Sequence, residues 1–389
     1  MYKSQNLTAV AFLVVFVVLW TSKTEAAEPM TIKIGSISTL TGGPAGFNTT
    51  GLAAKAVFDS VNAAGGIQKR KIEYIIEDDI GNPEFAAKAA ARLVSDPKIL
   101  ALAGGASVLE CSVNSKAYLS AGVISIPGLG LDRGCFTSEM IAPVNAGPNV
   151  QLNLALQFAT EQLKLDSLCT MRLGSPPNLK QSFDAVIQNW NAKYKNTLLL
   201  DLGNIQYEDN PQTHFLKIKS LNCKAVVFAG PYPFVVRYAL EGKKALGNEV
   251  KFIFIGSAYT AQFAQSLGAL GEGMYAMSEF EPWSSRSGSL TNWRNLMAQN
   301  KIPLTSSSQG GYLAAQIVVK VLRSIEGDIN RNSVRKAFQK MPDIDSPMIG
   351  MPFSFGDSQF HHPNQAAVPM QLSGGVWRIA HHDWIKSKL

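Results

Sequence analysis

Strand-forming runs alternate with helical stretches along almost the whole chain, and this alternation restricts the fold more than any other feature of the sequence. Thr31-Ile32-Lys33-Ile34-Gly35-Ser36-Ile37 is rich in β-branched residues and runs into a Gly/Pro/Thr loop at 39–48. Leu52, Ala56, Val57 and Val61 then recur at helical spacing, which predicts a helix over 51–64 that Gly65-Gly66 stops. Residues 71–77 read as a second strand and 83–95 as an Ala-rich helix. Residues 99–103 and 123–126 read as short apolar strands, each followed by glycines. The cycle resumes after Pro148, with helices predicted at 150–163, 180–193, 212–220, 234–242 and 261–266. Strands at 167–173, 197–202, 225–229 and 251–255 fall between them. Two more helices, 312–324 and 331–339, precede a Gly/Pro/His-rich tail with strand-like pieces at 367–372 and 376–379.

Strands separated by helices of about 10–15 residues build parallel sheets covered on both faces, and ligands of such sheets sit beyond the carboxyl ends of the strands. The Gly-bearing loops 39–48, 104–108 and 127–134 all fall at that edge. A chain of 389 residues, 46% of them hydrophobic, is too long for one small core and suits about two domains of ~150–200 residues. The pattern is that of two α/β lobes with a cleft between their strand ends.

The longest apolar run, 9–20, has twelve residues. A membrane-spanning helix needs about 20. With Lys3 before the run and Thr24-Glu25-Ala26 after it, residues 1–26 read as a secretion signal removed before Ala27. Export into an oxidising compartment gives the four cysteines, Cys111, Cys135, Cys169 and Cys223, a structural meaning: two disulfides, with three pairings open. Cys111 and Cys135 follow adjacent strands of the first half and are expected to be bridged. Cys169 and Cys223 begin two strands of the second half, and there a bridge and two buried thiols stand as equal alternatives.

The formal charge of +7 is spread along the chain, and its densest cluster is Lys69-Arg70-Lys71. Nucleic-acid binders concentrate such charge on one face, so no nucleic-acid partner is expected. The sequence has no Gly-x-Ser-x-Gly elbow, P-loop, dinucleotide glycine spacing or His-Glu-x-x-His, which argues against an enzyme, a secreted hydrolase being the weaker reading. Asp78-Asp79 point to opposite faces of a strand and are expected to orient loops. The pairs His361-His362 and His381-His382 also diverge, so no metal or cofactor is expected.

Several segments resemble the branched-chain amino-acid-type solute-binding proteins of ABC importers, which have the type I periplasmic fold. They are Gly35–Gly43 with Gly51, Asn62-Ala63-Ala64-Gly65-Gly66-Ile67, Glu77-Asp78-Asp79-Ile80-Gly81-Asn82-Pro83, Ser125-Ile126-Pro127-Gly128 and Val227-Phe228-Ala229-Gly230-Pro231-Tyr232-Pro233. The resemblance runs over most of the chain after residue 26. It implies two Rossmann-like lobes joined by a three-strand hinge, 28–147 plus 279–350 and 148–278 plus 351–389. It also implies a periplasmic location, a small-molecule ligand gripped by hinge closure, and permease subunits as partners. A ligand-sensing subunit on the same fold is the alternative.

By that resemblance the loops after the first, third and fourth strands supply amides and hydroxyls to a ligand carboxylate. Carried over, they fall at Phe47, at Ala106, Ser107 and Val108, and at Gly128, Leu129 and Gly130. This chain departs from the pattern in having Ser257-Ala258-Tyr259, with no acid, where amino-acid binders hold the ammonium. Arg172 stands at a strand end where the family often has an aromatic, and is expected to meet a second carboxylate or a flat ligand. Tyr232 and Tyr259 are expected to wall the cleft. Glu110 is a weaker expectation as a substitute amine ligand.

Overall fold

In the computed structural model the strands of the first half form one sheet. β1 (Ile32–Ser38) pairs in parallel with β2 (Ile72–Asp78) along its whole length, from Ile32↔Ile72 to Ser38↔Asp78. On its other side β1 pairs with β3 (Ile99–Ala103), which pairs with β5 (Ile124–Ile126). Residues 1, 31–43, 46–174, 177–356, 361 and 363–388 are described. Apart from Met1, the expected signal segment lies outside them.

Two very short strands extend this sheet at its carboxyl edge. After β3 the chain turns at Gly104, whose φ of 70° suits glycine, and steps across to the end of β1. There β4 (Ala106–Ser107) pairs with Ser38, and β6 (Leu129–Gly130) pairs with β4. The helices α1 (Phe47–Ala63), α2 (Pro83–Ser95) and α3 (Glu110–Ala121) connect these strands, and α4 (Gly134–Thr137) follows β6.

The second sheet runs β8 (Leu198–Ile205), β7 (Leu168–Leu173), β9 (Ala225–Ala229), β10 (Lys251–Phe254) and β11 (Tyr275–Ser278), all parallel. The tail adds antiparallel β12 (Ala366–Ser373), β13 (Val376–Ile379) and β14 (Ile385–Lys386). Its helices are α5 (Gly147–Gln157), α6 (Pro177–Lys193), α7 (Pro211–Ser220), α8 (Tyr232–Leu246) and α9 (Ala261–Leu267). Helix α5 begins three residues before the predicted 150, because Pro148 fits the first turn of a helix, where its missing N–H costs nothing. It then passes into a π-helical turn, Phe158–Gln162.

Between β11 and β12 the chain forms α10 (Thr291–Gln299), α11 (Ser306–Ser324) and α12 (Arg331–Lys340). These belong with the first sheet: one apolar core joins residues 32–144 to residues 280–355. Two further cores flank the second sheet. Among the described residues the chain therefore passes between the lobes three times, within 144–152, 277–280 and 355–367. Helices α1 and α11 touch backbone to backbone, since a Cβ at Gly311 would collide with the Thr50 carbonyl and one at Gly310 with that of Gly128. This contact fixes the height of the loop that precedes β6.

Candidate functional site

In a doubly wound sheet the ligand crevice opens where the strand order reverses. Here that is between β1 and β3 in the first lobe and between β7 and β9 in the second.

At the first edge, two adjacent carboxylates organise the loops. Asp78 accepts from the amides of Leu40 (3.0 Å) and Ile80 (2.9 Å) and from the Thr41 hydroxyl (2.6 Å). Burial works to raise its pKa, but the Thr41 hydroxyl and the amides outweigh that and hold it below the usual range. Asp79 accepts from the Ser107 hydroxyl and from Gly81 N (3.0 Å). Ser107 Oγ in turn accepts from the amides of Leu109 (3.1 Å) and Glu110 (2.9 Å), which secures the start of α3. Both acids orient loops.

The expected ligand amides of this lobe are brought together. Ala106 stands opposite Leu129, and Ser107 opposite Gly130. Most of these amides already have acceptors within the chain. Ala106 N donates to Ser38 Oγ (3.1 Å), Val108 N to Thr39 Oγ1 (3.3 Å), and Gly128 and Leu129 N to the Gly105 carbonyl (2.9 and 3.2 Å). Gly130 N donates to Asn145 Oδ1 (2.7 Å). A ligand carboxylate would have to displace these partners. Phe47 opens α1 with its ring in the first core. Glu110 faces Tyr118, whose hydroxyl donates to it at 2.7 Å, and burial pushes its pKa up to about 8.

Cys111 and Cys135 are bridged, tying α3 to α4 beside β6, and Cys169 is bridged to Cys223. Asp132 lies within 4.8 Å of the Cys111 and Cys135 sulfurs. Because those sulfurs are joined to each other, the group offers a metal a single carboxylate.

In the second lobe Arg172 is 1% exposed. Its Nε donates to Asp201 Oδ1 (2.8 Å), and its Nη2 donates to Asp201 Oδ2 (2.6 Å) and Asp184 Oδ1 (2.9 Å). Burial works against the guanidinium charge, but Asp201 and Asp184 outweigh it and keep the pKa raised. The carboxylates that Arg172 meets belong to this chain, and only Nη1 is left without a partner. Tyr232 starts α8, its hydroxyl 2.7 Å from Ser266 Oγ. Tyr259 is 2% exposed and stacks on Trp283, ring centroids 5.2 Å apart. Phe263 and Trp377 link the two tyrosines into one aromatic cluster.

The residues that join the two edges escaped the sequence reading. Glu279 directly follows β11, and its Oε2 accepts from Asn145 Nδ2 (3.1 Å), Ala146 N (3.1 Å), Gly147 N (3.2 Å) and Gln151 Nε2 (2.7 Å). Asn145 also pairs with both backbone groups of Gly130, and Gln151 Oε1 accepts from Gly256 N. A single hydrogen-bonded chain, Gly130–Asn145–Glu279–Gln151–Gly256, buried except at its Gly256 end, thus ties the carboxyl edge of the first sheet to the ends of β10 and β11. The signal available in the sequence was an acid directly after an apolar strand.

Two α/β lobes crossed three times, with their strand ends bound edge to edge, define a two-lobed binding protein. The chain belongs to the periplasmic binding protein family, whose model matches residues 31–376. Solved structures agree in fold. The branched-chain amino acid transporter substrate-binding protein of Streptococcus pneumoniae, in complex with isoleucine, is 18% identical, with 92% of this chain and 99% of that one covered at a TM-score of 0.75. A branched-chain amino acid ABC transporter protein of Thermus thermophilus with bound valine is 12% identical (92% and 97% covered, TM-score 0.76). The fatty acid ABC transporter substrate-binding protein of Thermomonospora curvata is 17% identical (92% and 93%, TM-score 0.76). No curated protein sequence matches the chain. Among the described residues, no helix is long and apolar enough to cross a membrane.

Proposed function

We propose that the protein is the periplasmic solute receptor of an ABC importer, capturing a small organic molecule between its lobes and handing it unchanged to permease subunits. The lobes divide near 147/148 and 278/279, but the third division falls after Phe355 and not at the expected 350/351, because Phe353 and Phe355 pack in the first core. The observation that carries this reading is the Gly130–Asn145–Glu279–Gln151–Gly256 chain, which holds the ligand-bearing edges of two sheets against one hinge. A solute that touches both edges only when the lobes close draws the equilibrium toward closure by its differential affinity.

The site is the pair of switch points. The loops around Phe47, Ala106–Ser107, Val108 and Gly128–Gly130 form one wall, and Arg172, Tyr232 and Tyr259 stand behind the other. Arg172 acts as a support, since its charge is taken up inside the second lobe by Asp201 and Asp184, whereas Tyr259 stacks on Trp283 of the first lobe. The solute class is amino-acid-like, an amide, or an aromatic or aliphatic carboxylate.

The test is a thermal-shift screen of the protein lacking residues 1–26 against amino acids, amides, aromatic acids and fatty acids. A solute at a hundred times its Kd adds about 2.7 kcal/mol of stability. Stabilisation by one class supports the reading. Chemical conversion of the stabilising solute overturns it in favour of an enzyme.

A further inference from the structure

The hinge holds an arrangement that solute capture by lobe closure, as proposed above, does not by itself require. One oxygen of Glu279 receives four hydrogen bonds, all from residues at the first crossing or the first turns of α5. Glu279 itself stands on the second crossing. Its backbone carbonyl accepts from Asn364 Nδ2 on the third, and Asn364 Oδ1 accepts from Ala366 N at the start of β12. All three passages of the chain between lobes therefore meet at this residue, which is 7% exposed. Among the described residues no cation pairs with the carboxylate: burial raises its pKa above the usual range, and the amides of Gly147 and Ala146 at the amino end of α5, with Asn145 and Gln151, work the other way. The two side-chain donors are themselves anchored, Asn145 to β6 of the first lobe and Gln151 to the exit of β10 in the second. A rotation of one lobe against the other must pivot about this oxygen or break bonds to it.

We propose that Glu279 is a positioning residue for solute capture: its carboxylate sets the angle between the lobes before solute arrives and keeps closure to a single axis. The inference rests on the receptor reading for its purpose, but its test uses no solute and so stands or falls separately.

Spin labels at Lys88→Cys on α2 and Lys217→Cys on α7, with the native disulfides intact, report the distance between lobes in the solute-free protein by double electron–electron resonance. Glu279→Gln keeps the shape and can still offer a carbonyl oxygen to the same four donors, but it removes the charge that strengthens those bonds. It is expected to broaden or shift the distance distribution while circular dichroism of both lobes stays that of the parent. Glu279→Asp, which retains an anionic acceptor, is expected to recover part of the parent distribution. Gln151→Leu removes one strut only and serves if Glu279→Gln fails to fold. A distribution identical to the parent in a folded variant, even with a lowered melting temperature, overturns the proposal and leaves Glu279 a stabilising residue only.

Discussion

Arg172 Nη2 lies 2.6 Å from Asp201 Oδ2, with Nε 2.8 Å from the other oxygen of the same carboxylate, a two-pronged pairing that consumes most of a charge placed at a strand end next to the cleft. Asp184 adds a third bond and is itself held by Lys180 at 2.7 Å. Removing one partner of a buried pair leaves the others uncompensated. Arg172→Ala is expected to cost about 3 kcal/mol of stability in the second lobe. Arg172→Lys recovers only part of it, because an ammonium cannot pair at two points. Denaturant unfolding measures both. A loss of solute affinity with no loss of stability would instead put Arg172 in contact with the solute.

The second prediction concerns pH. Glu110 has its pKa pushed up to about 8 by burial, far above its value in an unfolded chain. The folded protein therefore holds a proton that the unfolded chain has lost, and stability falls as pH rises from the ordinary carboxylate range to about 8. Glu110→Gln is expected to flatten this fall and to melt higher than the parent at pH 9. Parallel melting curves for the two proteins between pH 5 and 9 would contradict it.

The Cys111–Cys135 bridge closes a loop 24 residues long and fastens α3 to the segment after β6. In the chain-entropy treatment such a loop is worth about 3.5 kcal/mol. Cys111→Ser with Cys135→Ser is expected to lower stability by about that amount. Solute affinity should fall less than tenfold, since the β4–β6 ladder is independent of the bridge. Equilibrium unfolding and titration check the two halves separately.

Tyr259 separates packing from binding. Its ring stacks on Trp283 and meets Trp377 edge-on, and its hydroxyl lies 3.4 Å from Ser284 Oγ. Tyr259→Phe is expected to change stability by under about 1 kcal/mol. Tyr259→Ala is expected to cost about 3 kcal/mol, as large-to-small core changes do. A strong loss of solute binding in Tyr259→Phe would make the hydroxyl a ligand group.

The alternation of strand and helix was legible because buried parallel strands are continuous apolar runs, such as Ala225–Ala229, and because Gly65-Gly66 punctuates α1. Strands β4 and β6 were not, since two residues carry no period. Helix α3 was also missed; Glu-Cys-Ser-Val-Asn-Ser-Lys has no apolar stripe and is held by Ser107 and the disulfide instead. The edge that carries the candidate site followed from the loops after the strands. Which atoms there are free did not: Asp201 and Arg172 are 29 residues apart in sequence, Glu279 and Asn145 are 134, and only the fold brings them together.

The receptor reading is tested most directly by recovering the solute. The protein is saturated with the compound that stabilises it most, freed of excess, and unfolded, and the released molecule is weighed and counted by mass spectrometry. One equivalent per chain, chemically unchanged, is the expected result; a converted molecule, or no compound retained by any preparation, contradicts it.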